Sequence, residues 1–147
     1  MRATLIGHAC WLLETTAGNI LTDPVLFDPF EEGTVTSCPR RLVQLERLPP
    51  LQALFLSHRH LDHWDFPSLA VLDRHLTVFC PPEPLLLYGL RRLGFDDVRW
   101  LEPFVLHTLD GLRLIPTPSR NRQVLECGLV VQDATGTLLN QVDTFLA

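Results

Sequence analysis

The sequence predicts one domain of mixed α/β (α+β) class, with two sheets and helices on the outside. Three observations predict it. Short apolar segments separated by turn residues open the chain, strand and helix patterns alternate through its middle, and paired strand patterns flank Asp110-Gly111 and Ala134-Thr135-Gly136 near its end. The whole span, 1–147, reads as a single domain: 147 residues with 46% apolar content are enough to close one core and too apolar for disorder.

The elements are taken in order. TLIGHACWLLETTAGNILTDPVL reads as two or three short strands, with Ala17-Gly18-Asn19 as a turn and Asp23-Pro24 as a stop. RRLVQLERL, Arg40 to Leu48, has apolar residues at helical spacing and ends at Pro49-Pro50, so a helix is expected there. QALFLS is a short apolar strand. Asp65 is placed to cap a helix with Pro67 in its first turn, running through SLAVLDRH to about His75. TVFCP is the next strand, and EPLLLYGLRRLG a helix closed by Gly94. VRWLEP, FVLHTL, LRLIP, ECGLVVQ and TLLNQVD then predict an antiparallel strand pattern.

Composition excludes several functions. A formal charge of -5 argues against a nucleic-acid partner, because phosphate backbones are bound by concentrated cationic charge and the pairs Arg40/Arg41 and Arg91/Arg92 are too short to supply it. Cys10, Cys38, Cys80 and Cys127 are far apart and form no CxxC pair, which predicts reduced thiols and not a disulfide framework. No apolar run approaches the length of a membrane span, and no secretion signal is recognisable, so a cytoplasmic protein is expected by default.

The chemistry is concentrated in SHRHLDHWD, Ser57 to Asp65, where three of the six histidines stand beside two aspartates just after an apolar strand. Extended side chains alternate, so His58 and His60 project to one side and can reach one metal ion. Asp62 and His63 come next, where the backbone turns, and can serve a second ion beside the first. Imidazole and carboxylate suit zinc, iron or manganese, and the lack of clustered thiolate excludes a soft sulfur site. One exposed histidine would be an ordinary loop residue. Four potential ligands in H-x-H-x-D-H at a strand's C-terminal end point to a metal site.

SHRHLDH resembles the H-x-H-x-D-H signature of the metallo-β-lactamase fold superfamily. IGHACWLLET, GNILTDPVL and LPPLQALFLSHRHLDHWDFPSL are similar in order and spacing to the branch holding N-acyl-phosphatidylethanolamine phospholipase D and ascorbate-6-phosphate lactonase-like hydrolases. The resemblance implies an αββα sandwich of largely antiparallel and mixed sheets, with one or two zinc ions, or iron or manganese. It implies His58 and His60 as ligands of the first ion, Asp62 and His63 as ligands of the second, and Asp143 as the carboxylate bridging both. It also implies that Asp23 orients a ligand histidine from behind and that His8 stands near the pocket. His75 and His107 match nothing in the pattern and are read as a helix-end cation and an ordinary strand residue.

The implied activity is a metal-dependent hydrolase that turns metal-activated hydroxide on a phosphodiester, lactone or other ester of small size, with Asp62 orienting the nucleophile as the catalytic carboxylate. Two departures qualify it. The loop TPSRNRQ has Ser119 where the family supplies a third histidine, and the chain is short for the fold, so its C-terminal half is expected to be missing. An uncovered inner sheet face, and with it a homo-oligomer or a separate second half, is the resulting expectation. The alternatives are an iron-dependent, oxygen-activating enzyme of the same fold and a truncated, non-catalytic interaction domain.

Overall fold

The computed structural model describes residues 1–145 of the chain. Three strands open it: β1 (Arg2–Gly7), β2 (Cys10–Thr15) and β3 (Gly18–Thr22), paired as an antiparallel meander. Then β4 (Ala53–Phe55), β5 (Thr77–Cys80) and β6 (Val98–Trp100) join in parallel, giving a six-stranded sheet in sequential order. The helices α1 (Phe66–Ala70) and α2 (Pro84–Leu93) connect the parallel strands. Four antiparallel strands, β7 (His107–Leu109), β8 (Leu112–Pro118), β9 (Cys127–Asp133) and β10 (Gly136–Asn140), form a second sheet.

Strand β4 shows why the two sheets stack. All three of its residues are buried, because Leu54 faces one apolar layer and Ala53 and Phe55 face the other. A strand covered on both faces needs an unbroken apolar run, and QALFLS supplies it. Leu54 packs with Leu69, Leu86 and Leu90 of the helices, whereas Phe55 and Phe79 pack with Leu112, Leu114, Leu129 and Val131 of the second sheet. Each fully buried aromatic or aliphatic side chain stabilises the fold by roughly 1.5–3 kcal/mol. The inner face expected to lie open is therefore covered by the chain's own β7–β10. Ile115, Val130 and Leu139 are cross-strand neighbours on the outer face of that sheet, where Leu139 is about half exposed.

Four expectations are corrected. No helix forms over Arg40–Leu48; one 3-10 turn, Leu45–Arg47, lies within an extended strap. Asp28 explains this, since its carboxylate accepts from the Ser37 amide and hydroxyl and from the Arg41 amide. The Arg41 side chain then turns inward to donate to the Val25 carbonyl and Ser37 Oγ, fixing the backbone extended. Helix α1 stops at Ala70 instead of reaching His75, because Arg74 folds back and donates to the carbonyls of Leu69 and Ala70. His75 accordingly sits in a turn, its amide bonded to Asp73, and is no helix-end cation. Lastly, β6 pairs with β5 in parallel, since the α2 crossover returns the chain in the same direction.

Helix α2 matches its expected limits. Glu83 accepts from the Leu85 amide, Pro84 occupies the first turn, and Gly94 adopts φ 94° at the C-terminal cap, a conformation costly for residues with a Cβ.

Candidate metal centre

Parallel strands β3 and β4 end side by side, so the segments that leave them converge: Asp23 after β3 and Ser57 to His63 after β4. The Asp23 amide donates to the Phe55 carbonyl at 2.8 Å, locking the two strand ends. Asp23 has φ 38°, a left-handed conformation that aspartate tolerates better than most residues, and its carboxylate is completely buried. It accepts from the Ser57 amide at 2.7 Å, from Ser57 Oγ at 2.8 Å and from His63 Nδ1 at 3.1 Å. The expected orienting role of Asp23 thus has a direct contact behind it, on His63.

These partners assign the ring protons. Ser57 has one hydroxyl proton, which goes to the acceptor-only carboxylate of Asp23, so Ser57 Oγ accepts from His58 Nδ1 at 2.9 Å. In the neutral rings, His58 and His63 both carry their hydrogens on Nδ1 and lone pairs on Nε2. His60 Nδ1 lies 2.9 Å from His58 Nε2, and the His58 and His63 ring centroids are 4.2 Å apart.

Carboxylates close the cluster. His63 Nε2 stands 3.3 Å from Asp143 Oδ2 and 3.6 Å from Asp62 Oδ2, yet it is buried and makes no hydrogen bond among the described residues. His8 Nε2 donates to Asp62 Oδ2 at 2.9 Å. The bulge between Leu5 and Gly7 re-aims β1 there, and His8 takes φ 53° to reach the carboxylate. Among the described residues two sets of potential ligand atoms each fall within 4.8 Å: His58, His63 and Asp143, and His8, Asp62 and His63. His63 belongs to both. His60 lies against His58 outside either set.

Electrostatics reflect this crowding. Burial pulls the His58 pKa below the ordinary imidazole value, and the nearby His63 and His60 pull the same way against Asp23 and Asp143. Burial also works against a charged His63, but the Asp23 hydrogen bond and the charges of Asp23, Asp62 and Asp143 outweigh it and raise its pKa. Burial opposes ionisation of Asp62 too; His63, a local backbone bond and His8 prevail and hold its carboxyl below the usual range. An imidazole nitrogen wedged between two carboxylates, with no hydrogen bond of its own, needs a cation. Either a proton on Nε2 or a metal ion answers that need, and the nitrogen and oxygen donors suit zinc, iron or manganese.

Ser119 lies in neither set. Its hydroxyl donates to Glu126 Oε1 and accepts from the amides of Asn121 and Phe145, so it ties its own loop to the one carrying Asp143. Glu126 escapes a reading of the sequence, as does the bridging role of Ser57. Glu126 is buried just before β9, next to Cys127, whose amide donates to the Ser57 carbonyl at 3.2 Å. Only its acidic character within an apolar segment marks it in the sequence. Cys10 and Cys80 are buried thiols with pKa values pushed up to about 12 by desolvation, and Cys127 is raised for the same reason, so none of the three offers a thiolate.

A protein from Mycolicibacterium smegmatis named for a Rieske 2Fe-2S iron-sulfur centre is 29% identical over 97% of this chain, which spans about 30% of that relative's length. Among solved structures, a diiron beta-hydroxylase from Streptomyces venezuelae superposes with a TM-score of 0.77 at 23% identity, over 97% of this chain and 29% of that one. A possible metal-dependent hydrolase from Veillonella parvula gives 0.76 at 21% identity, over 99% and 63%. The isothiocyanate hydrolase from Delia radicum gut bacteria gives 0.75 at 24%, over 100% and 64%. These likenesses show the fold. Residues 18–139 match the family described as a beta-lactamase superfamily domain, and the chain belongs to that superfamily.

Proposed function

We propose that this chain is the metal-holding part of a metal-dependent hydrolase acting on a phosphodiester, lactone or other ester. One observation carries the reading: His63 Nε2 stands between the Asp143 and Asp62 carboxylates with His58 grouped beside it and Asp143, while hydrogen bonds through Ser57 and Asp23 fix both rings from behind. His58, His60, Asp62, His63 and Asp143 would hold one or two ions. A bound ion there would polarise the electrophile and make water acidic enough to ionise near neutral pH.

The chain's own groups do the rest. Asp62, kept ionised by its neighbours, orients the attacking water and carries its proton toward the leaving group. His8 holds Asp62 Oδ2 and so fixes which oxygen faces the water. Asp23 keeps the His63 proton on Nδ1 and its lone pair free. The test measures bound metal by elemental analysis together with turnover of phosphodiester and lactone substrates. Chelation and His60→Ala should each abolish turnover, with metal restoring only the chelated protein. Unchanged turnover after either treatment overturns the reading.

A second reading, an iron-dependent oxygen-activating enzyme, is favoured by the loop expected to supply a third histidine. It carries Ser119 in place of that histidine, so the candidate ligand sets combine imidazole with the carboxylates of Asp62 and Asp143, and histidine-carboxylate sites with open positions suit iron. The diiron hydroxylase among the structural neighbours fits this reading. Iron with a visible absorption band selects it; zinc without one selects the hydrolase. Protein that takes up no metal points to a non-catalytic interaction domain.

A further inference from the structure

The strap that replaces the expected helix stands off the sheet and leaves a groove of about 860 Å³ between itself and β1–β2. One end of the groove reaches His8, the residue bonded to Asp62. From there it runs along β1 from Gly7 to Arg2, a length of roughly 17 Å at the rise of an extended strand. Its floor is apolar, with Ile6 and Leu12 facing Val43 and Leu48 of the strap.

The rim is cationic. Arg2, Arg40, Arg41 and Arg47 line the groove against one acid, Glu14, in a chain with 17 acidic and 12 basic residues. Arg2 is neutralised by Glu14, on which both Nε and Nη2 donate. Arg40 and Arg47 are exposed and have no carboxylate partner among the described residues. Arg41 points inward: its side chain is only 2% exposed, and its buried Nε has no acceptor among the described residues. That nitrogen faces Gly7, where an added Cβ would approach it to 2.7 Å. An apolar channel with free guanidinium groups at its wall and a buried donor beside its floor is built for an elongated molecule with a negatively charged end.

We infer that this groove binds the apolar body and anionic head of an amphipathic substrate, the exposed guanidinium groups of Arg40 and Arg47 on its rim supplying the counter-charge while the labile bond lies at the His8 end. The placement of the labile bond rests on the metal reading above. Binding in the groove does not, because no proposed ligand forms the groove's floor or its cationic rim. Electrostatics select the occupant: a neutral or cationic amphiphile would leave the two arginines without a counter-charge.

Isothermal titration of decanoate, decyl phosphate, decanol and decyltrimethylammonium into the full chain tests this, with and without prior chelation. Decanoate or decyl phosphate should bind in both states, and their ratio tells carboxylate from phosphate as the preferred head. Decanol and the cationic amphiphile should bind on the order of tenfold more weakly or not at all. Replacing both Arg40→Ala and Arg47→Ala should weaken the anions on the order of a hundredfold and leave decanol unchanged. Arg113→Ala, on the second sheet, should change nothing, and circular dichroism confirms that each variant folds. Equal affinity for decanol, or anion binding indifferent to the double substitution, overturns the assignment. Absent binding in a protein that still turns over with metal defeats the groove alone; groove binding in a protein that takes up no metal defeats the metal reading alone.

Discussion

His63 Nε2 lies 3.3 Å from Asp143 Oδ2, joining the turn after β4 to the loop after β10. The imidazole nitrogen has no hydrogen bond among the described residues, and the carboxylate is otherwise open to solvent. Asp143→Ala should remove one oxygen donor and lower bound metal while leaving the fold intact, since its side chain is more than half exposed. Elemental analysis beside a melting curve checks this; full metal content in the variant contradicts it.

Asp23→Asn tests the support behind the rings. An amide in place of the carboxylate cannot accept from Ser57 Oγ and from His63 Nδ1 on the same oxygen without placing its own NH2 toward a donor. Metal affinity should fall about 10- to 100-fold, the usual cost of losing a partner behind a ligand histidine. Competition with a chromogenic chelator measures it, and an unchanged affinity would show that Asp23 serves only the fold.

Ser119→Ala should act at a distance. The substitution removes an acceptor for the Phe145 amide and a donor to Glu126, releasing the loop that carries Asp143. Each lost hydrogen bond costs about 0.5–1.5 kcal/mol, and more if the buried Glu126 is left unpaired. Metal content should drop without His63 or Asp143 being touched. Titration of the variant with metal decides it: wild-type affinity rejects the coupling.

Gly89→Ala sets two effects against each other. Alanine in a helix interior gains about 1 kcal/mol over glycine. Here its Cβ would meet Trp64 Cζ2 at 2.3 Å and Phe66 at 3.2 Å, and such overpacking costs about 1–3 kcal/mol. Overpacking wins, so the melting temperature should fall. A rise would show that the Trp64 indole moves away freely.

Asp133 predicts a pH dependence of stability. Its carboxylate accepts from the amides of Thr16, Thr135 and Gly136 and from the Thr135 hydroxyl, which ties the β2–β3 turn to the β9–β10 turn. The Thr16 amide, together with the other donors, holds its pKa well below the usual carboxylate range. A depressed folded pKa means the stabilisation is complete above the unfolded value of about 3.9 and is lost as pH falls toward the folded value. The melting-temperature gap between wild type and Asp133→Asn should be constant above about pH 5 and narrow below about pH 4. A gap that widens in acid would contradict the sign.

Much of this molecule is legible in its sequence. The period-two and apolar runs place seven of the ten strands near their observed limits and foresee two or three more at the start of the chain, and Glu83, Pro84 and Gly94 bound α2, because these signals act within a few residues. Misreadings fall where distant side chains override local preference. Arg40–Leu48 has helical spacing, yet Asp28 and the inward turn of Arg41 hold it extended. The sequence of β6 does not say which sheet it joins; the α2 crossover decides that.

The site divides the same way. Its chemistry was legible in the chain alone: H-x-H-x-D-H puts three imidazoles and a carboxylate within six residues just after an apolar strand. Which atoms meet was decided by the tertiary structure. Stacking β3 beside β4 set Asp23 under His63, folding the second sheet over the first brought Asp143 to the same ring, and a bulge in β1 aimed His8 at Asp62. Contacts between residues so far apart arise from strand pairing and core burial, quantities summed over the whole chain and written in no single stretch of it.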